Sequence, residues 1–268
     1  MNLTVYWDEF LLSWRLGRGL SGKFRLFADF IGYHLANRCG QSLASDLAPE
    51  KSYQVNVAGK SIEIRLRPRG GDFYVLHEIF GRGIFAANKD LSAIIDLNKV
   101  RSFVDLGSNV GLVSLYYASL LPNAKFVCVE PDPKNFKLTE GNLFWLGDRG
   151  VFIQAAVAAT AGAVSFDGSG QSYRKRLSAA GGTMVRACTM EEVMAIGGLS
   201  EIDLIKIDIE GAEKALLLGD LGWLAATRAI LIEIHEDFRE PDLRRVLEPL
   251  GFSVRRLNVG ENFLAIRK

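Results

Sequence analysis

With 268 residues and 49% hydrophobic content, the chain is long enough for one large globular domain with a smaller appendage. Its 32 basic and 31 acidic residues balance, so the electrostatic footprint of a nucleic-acid-binding protein is missing. Cys39, Cys128 and Cys188 stand singly, which excludes a disulfide framework and any CxxC metal or redox motif.

Asp8 and Glu9 interrupt the N-terminus before an apolar stretch can form, so no signal peptide is expected. No run approaches the roughly 20 apolar residues that a membrane span requires. Together with the unpaired thiols, this predicts a cytoplasmic protein. Tyr6, Trp7, Phe10, Leu11, Trp14 and Leu16 recur at near-helical spacing, as do Phe24, Leu26, Phe27, Phe30, Ile31 and Leu35. Two amphipathic helices joined near Gly19–Gly22 are the reading, with Arg15, Arg18, Lys23 and Arg25 clustered at the joint. Such a hairpin packs on the main domain, closes over an active site, forms a homodimer arm, or makes a peripheral contact with an anionic membrane.

Strict alternation from Ser52 to Leu66, broken by Ala58-Gly59-Lys60, predicts a β-hairpin. Asp72 to Phe80 reads as a helix with Asp72 at its N-cap, and a further helix covers Asp90 to Leu97. Ser102-Phe-Val-Asp-Leu-Gly-Ser-Asn-Val-Gly111 then gives a buried strand and a glycine turn. A helix from Leu112 to Leu121 follows, closed by Pro122, and Phe126 to Val129 is a second buried strand ending at Glu130.

This βαβ unit places a helix N-terminus and two strand ends around one crevice. A dinucleotide site wants G-x-G-x-x-G, because a pyrophosphate must lie against bare backbone. Here the first glycine position is Asp105, whose carboxylate would repel a pyrophosphate and attract an ammonium group. S-adenosylmethionine (SAM) carries that ammonium and no phosphate. Glu130, twenty-five positions on, suits a carboxylate that grips ribose hydroxyls. Asp105, Gly107, Ser108, Asn109 and Gly111 of the turn, with Glu130 and Pro131, are therefore the candidate cofactor contacts.

Further on, Pro133–Leu146 reads as a helix, Val151–Ala158 and Val164–Phe166 as strands, and 167–182 as a long loop containing Arg174, Lys175 and Arg176. A strand over Val185–Cys188 leads to a helix from Met190 capped by Thr189. Ile202–Ile207 is a buried strand that delivers Asp208 and Glu210; Ala229–Ile234 likewise delivers His235 and Glu236. Lys206 and Glu233 each interrupt one of these apolar runs, so they are expected to face each other, directly or through one further polar group. A helix over Asp242–Leu250 and an antiparallel pair, Phe252–Leu257 and Phe263–Arg267, complete the chain. The fold class is α/β: a doubly wound, mostly parallel sheet with an antiparallel C-terminal strand pair.

Asp105-Leu-Gly-Ser-Asn-Val-Gly111, Glu130-Pro-Asp-Pro133, Asn142 and above all Lys206-Ile-Asp-Ile-Glu-Gly-Ala-Glu213 resemble the FkbM family of SAM-dependent methyltransferases. Asp72 with Glu78-Ile-Phe80 resembles a segment upstream of that domain. The likeness covers about residues 50 to 268, and the family's Thr-Leu-Asp stands here as Thr189-Met190-Glu191. It implies a Rossmann-like class I fold and O-methylation of a hydroxyl on a sugar, glycan or secondary metabolite. On this reading residues 1–48 are a helical appendage, 49–98 lead into the core, and 99–268 form the SAM-binding methyltransferase domain.

A hydroxyl is a weak nucleophile, so a base at the crevice assists its attack. Asp208 and His235 are the candidate catalytic residues; Asp208 serves alternatively as a helix N-terminal carboxylate, or as a metal ligand with Glu210 or Glu236. No metal is assigned. Glu213 and Asn142 are expected to hold helices in place. Two other classes stay open: a catalytically silent SAM-binding or scaffolding protein, and a nicotinamide-dependent oxidoreductase. The second lacks both the pyrophosphate turn and a Tyr-x-x-x-Lys pair.

Overall fold

The computed structural model describes residues 3–40, 48–86, 91, 95–167, 176–177, 183–235, 238–257 and 260–268. Half of the predicted 90–97 helix and most of the 167–182 loop, with Arg174, Lys175 and Glu236, lie outside the described residues.

Two helices, α1 (Leu3–Leu16) and α2 (Gly19–Arg38), open the chain. They join at Gly17–Arg18, one turn earlier than the glycines at 19 and 22 imply. Gly17 is required there, because a Cβ would stand 2.7 Å from the Lys23 backbone. The hairpin β1 (Lys51–Val57) and β2 (Lys60–Leu66) follows, turning through Ala58 and Gly59, both with positive φ. Its alternating buried face packs on both helices: Leu12, Leu16, Leu26, Phe30, Tyr53 and Ile64 belong to the same apolar cluster.

Helix α3 covers Asp72–Leu76, and the chain continues as a π-helix over His77–Arg82. Asp72 is not an N-cap, since Gly71 holds that place. The Asp72 carboxylate instead receives the backbone N–H of Arg67 at 2.7 Å and two guanidinium bonds at 3.0 and 2.9 Å. Arg67 also donates to Asn135 Oδ1 at 2.6 Å, tying the hairpin to the central domain.

The central sheet has seven strands: β3 (Ser102–Leu106), β4 (Lys125–Val129), β5 (Gly150–Ile153), β10 (Ile202–Ile207), β11 (Thr227–Glu233), β12 (Phe252–Arg256) and β13 (Asn262–Arg267). The order is β12-β13-β11-β10-β3-β4-β5, parallel throughout except for β13, which runs antiparallel to both its neighbours. Helices α4 (Leu112–Leu120) and α5 (Pro133–Leu143) link the first strands. The strand expected over 151–158 is two strands. After β5 the chain leaves the central sheet, and β6 (Ala156–Val157), β7 (Gly162–Asp167), β8 (Arg176–Leu177) and β9 (Thr183–Cys188) form a second sheet. Alternation in sequence shows that these are strands, but it does not show which sheet each joins.

Thr189 caps the next helix, α6 (Met190–Gly197), through a reciprocal bond with Glu192. Helices α7 (Glu213–Leu218) and α9 (Glu240–Leu247), with the short α8 (Gly222–Ala225), complete the fold. Strand order reverses at β3, between β10 and β4, so the carboxyl ends of these three strands open the crevice. No helix among the described residues is long and apolar enough to cross a membrane.

Candidate active site

The turn after β3 is built by backbone. Gly107 and Ser108 both donate their N–H to the carbonyl of Val129 at 3.0 Å, pinning the turn to the end of β4. Gly107 has φ +73°, and a Cβ there would lie 1.9 Å from the carbonyl oxygen of Asp208. The glycine is dictated by the close approach of the β10 end. Asn109, at φ 53°, donates its N–H to Glu130 Oε2 at 2.8 Å. Glu130 Oε1 accepts from the Asp132 N–H at 2.9 Å, which holds this buried carboxylate rigid at the crevice floor. Gly111 caps α4, and a Cβ on it would crowd Thr139 and Leu143 of α5 at 3.3–3.4 Å.

Side-chain alternation sends Asp105, Lys206, Asp208, Glu233 and His235 to one face, the face that the Asp72–Phe85 segment covers. Asp105 lies beside Lys206 in the sheet register, fully buried. Lys206 Nζ stands 3.2 Å from Asp105 Oδ1 and 3.5 Å from Asp208 Oδ2. It donates to the carbonyls of Gly107 at 2.6 Å and Leu106 at 3.2 Å. Burial alone would lower the lysine's pKa, but Asp105 and Asp208 outweigh it and the pKa is raised, so the ammonium is retained. Ser114 donates to the other oxygen of Asp105 at 2.6 Å. The sequence expects Asp105 to meet a ligand's ammonium; in the structure its carboxylate stands beside Lys206, and it is not among the residues lining the two cavities described below.

Lys206 and Glu233 do share a face and a cavity wall, but the direct ion pairs of Lys206 are with Asp105 and Asp208. Asp208 stands between them. Burial, then the Asp208 carboxylate, raises the pKa of Glu233 to about 7. The same causes lift Glu210, held in the left-handed region at φ 53°, to about 8. Backbone strain of this kind is a feature of working sites.

His235 differs from expectation. Its Nδ1 lies 3.1 Å from Glu213 Oε1, a buried carboxylate that also accepts the N–H groups of Ile209 and Gly211. Its Nε2 stands 3.9 Å from both Asp208 and Glu210. Burial lowers its pKa, but the Glu213 bond and then the charges of Asp208, Glu213 and Glu210 outweigh it, giving about 9. A pKa raised in this way favours the imidazolium at neutral pH. Glu213 thus anchors both a helix and the histidine. Asn142 bridges Arg65 of the hairpin and Val110, as a structural residue should.

Two cavities meet here. One is lined by Gly107, Asn109, Glu130, Pro131, Ala156 and Phe166 among others. The second, lined by Tyr74, Glu78, Phe85, Ser108, Glu233 and His235 among others, lies under the α3 and π-helical segment. Gly107, Asn109, Asp208 and Glu210 line both and form the seam. Ser108 Oγ and Asn109 Oδ1 are buried without a hydrogen-bond partner, at or beside this seam. Asp208, Glu233 and His235 each offer one metal-ligating atom, and these lie within 4.8 Å of one another. Sequence reasoning noted Glu233 only as a partner for Lys206. Its place two residues before His235 on a strand already marks it as a site group.

The sequence profile of the methyltransferase FkbM domain matches residues 105–254. The chain belongs to the FkbM methyltransferase family. Hexuronic acid methyltransferase AglP of Haloferax volcanii is 24% identical over 61% of this chain and 69% of its own length. The 2-O-methyltransferase NoeI of Sinorhizobium fredii is 27% identical over 50% of this chain and 63% of its own. The crystal structure of methyltransferase FkbM from Methylobacillus flagellatus KT aligns with 97% of this chain and 58% of its own, at 12% identity and a TM-score of 0.49. The likeness spans only part of each of these proteins. Within the FkbM domain of this chain, the segments that follow β3 and β10 supply the whole seam, while Tyr74, Glu78 and Phe85 come from upstream of it.

Proposed function

We propose that this protein transfers the methyl group of SAM to a hydroxyl oxygen of a sugar, glycan or secondary metabolite. The observation that carries the reading is the seam: a cavity with a rigid carboxylate at its floor opens onto a second, acid-lined cavity. The residues fit SAM. Glu130 lines the first cavity with its carboxylate oriented by the N–H groups of Asn109 and Asp132, and a carboxylate is the acceptor that ribose hydroxyls require. The orphaned Ser108 Oγ and Asn109 Oδ1 offer a donor and an acceptor to the methionyl carboxylate and ammonium. The names of AglP and NoeI, a hexuronic acid methyltransferase and a 2-O-methyltransferase, support a sugar hydroxyl as acceptor.

When bound, SAM supplies an electrophilic methyl carbon; the acceptor oxygen forms the new C–O bond as the C–S bond breaks and its electron pair returns to sulfur. The chain's own task is to align, exclude water and take one proton. Glu233 and Asp208 face the acceptor cavity and are the proton acceptors, with Glu233 poised near neutrality. His235, charged and clamped by Glu213, is a positioning residue that keeps Asp208 and Glu210 in place. Of the two catalytic candidates read from the sequence, this reading gives the proton to Asp208, with Glu233, and the positioning role to His235.

Titration calorimetry of SAM, followed by transfer of labelled methyl to fractionated glycans and small metabolites, tests the reading. Glu130→Ala removes charge-assisted bonds worth about 1.5–3 kcal/mol each and should weaken SAM by tenfold or more. Unchanged SAM affinity in that variant, or tighter binding of NADH than of SAM, would overturn it. The gathering of Asp208, Glu233 and His235 favours a second reading, in which a divalent cation orients the acceptor. Loss of transfer on chelation, restored by added Mg²⁺ or Mn²⁺, would select that version.

A further inference from the structure

The helical hairpin presents an apolar face that nothing in the chain covers among the described residues. Trp7, Leu11, Trp14, Leu20 and Phe24 are 38–65% exposed. The rings are in mutual contact: Trp7 with Phe10 at 5.5 Å, Phe10 with Trp14 at 5.3 Å, and Trp14 with Phe24 at 5.7 Å between centroids. They form one ladder across both helices. On α2 the stripe continues at helical spacing through Phe27 and Ile31 to Leu35, itself 53% exposed. The opposite side of α1, with Leu12 and Leu16, is already buried in the core. An apolar stripe on the outer side is therefore not needed to hold the hairpin in place.

The charge around this ladder is predominantly basic. Lys23 lies 4.7 Å over the Trp14 ring, and Arg15, Arg18 and Arg25 surround the joint where the two helices meet. Of the acids on these helices among the described residues, Glu9 is buried and bonded to His34, and Asp29 holds Lys51 and Tyr53. Asp8 alone is an exposed acid. Tryptophan and phenylalanine rimmed by lysine and arginine match the boundary between acyl chains and anionic headgroups. A second copy of the chain fits worse, because it brings the same excess of basic residues to this face and little countercharge.

From this geometry we infer that the outer face of α1–α2 docks in the plane of an anionic lipid surface, as a peripheral contact. The hairpin is rigidly tied to the rest of the chain: Arg15 donates to the carbonyl of Phe80 in the π-helix that walls the acceptor cavity. Docking would therefore hold the whole catalytic unit at the lipid boundary.

Co-sedimentation of the full chain with phosphatidylcholine vesicles, with and without about one third phosphatidylglycerol, tests this. The expected result is binding to the anionic vesicles alone at about 0.1 M salt, and its loss at about 1 M salt, where the screening length shrinks to ~3 Å. Trp7→Ser/Trp14→Ser/Phe24→Ser and, separately, Lys23→Glu/Arg25→Glu should each reduce the bound fraction about tenfold or more. The charge pair keeps the test decisive if the triple variant folds poorly, which thermal unfolding would reveal. Absence of binding to anionic vesicles would overturn the inference. So would a dimer in light scattering that the triple variant converts to monomer while vesicle binding is unchanged.

Discussion

Lys206→Met is the perturbation that most directly probes the floor of the site. Methionine keeps the length and apolar stem of lysine but removes the ammonium. Asp105 would then sit fully buried with only the Ser114 hydroxyl on Oδ2, and no cation beside Oδ1. Asp208, about a quarter exposed, can recover water; Asp105 cannot. Breaking a buried pair from one side costs about 3–5 kcal/mol, because the remaining charge is left uncompensated. The carbonyl of Gly107 loses its lysine donor as well, adding about 1–3 kcal/mol where water does not reach it, while that of Leu106 keeps the Asp208 N–H at 3.2 Å. Against a total stability of about 5–15 kcal/mol, the single variant should be severely destabilised. Adding Asp105→Asn removes the orphaned charge while keeping an acceptor for Ser114, so the double variant should regain at least about 2 kcal/mol. Urea unfolding followed by circular dichroism, extrapolated to water, measures both. A Lys206→Met variant within about 1 kcal/mol of wild type, or a double variant as unstable as the sum of the singles, would refute the ion-pair argument.

Four further outcomes are expected. Transfer should rise with pH through about 7 as Glu233 loses its proton, and fall as His235 loses its own near 9, giving a bell-shaped rate profile. A flat profile between these limits, once methyl transfer is shown to be rate-limiting, would remove Glu233 as the base. The His235 contribution to stability has the sign of a raised cationic pKa: present in full below its ordinary value of about 6.5 and lost as pH climbs through about 9. Comparing urea midpoints of wild type and His235→Gln across that window checks it. Gly107→Ala should abolish SAM binding in calorimetry, since its Cβ would collide at 1.9 Å with the Asp208 backbone, which has no rotamer to yield. Asp72→Ala leaves the buried Arg67 guanidinium without its carboxylate and should cost about 3–5 kcal/mol in the same urea assay.

The sequence alone determined what local patterns can encode. Alternation, glycine placement and acids at strand ends located β1–β2, β3, β4, β10, β11 and the turn at Gly107–Gly111, because period and backbone conformation depend on near neighbours. They also placed Glu130, Asp208 and His235 at one end of one sheet. Which charges meet was decided only by tertiary structure. Asp105 and Lys206 are far apart along the chain, and only the register of β3 against β10 sets them side by side. That contact gives Asp105 a buried cationic neighbour that its place in the turn does not reveal. Likewise, Glu213 beneath His235 raises the histidine's pKa, since an imidazole pKa follows the charges packed around it rather than its place in a strand. The π-helical turn over His77–Arg82 and the departure of β6–β9 into a second sheet belong to the same class. Both depend on what the surrounding elements cover, and neither leaves a distinct mark on the period of the sequence.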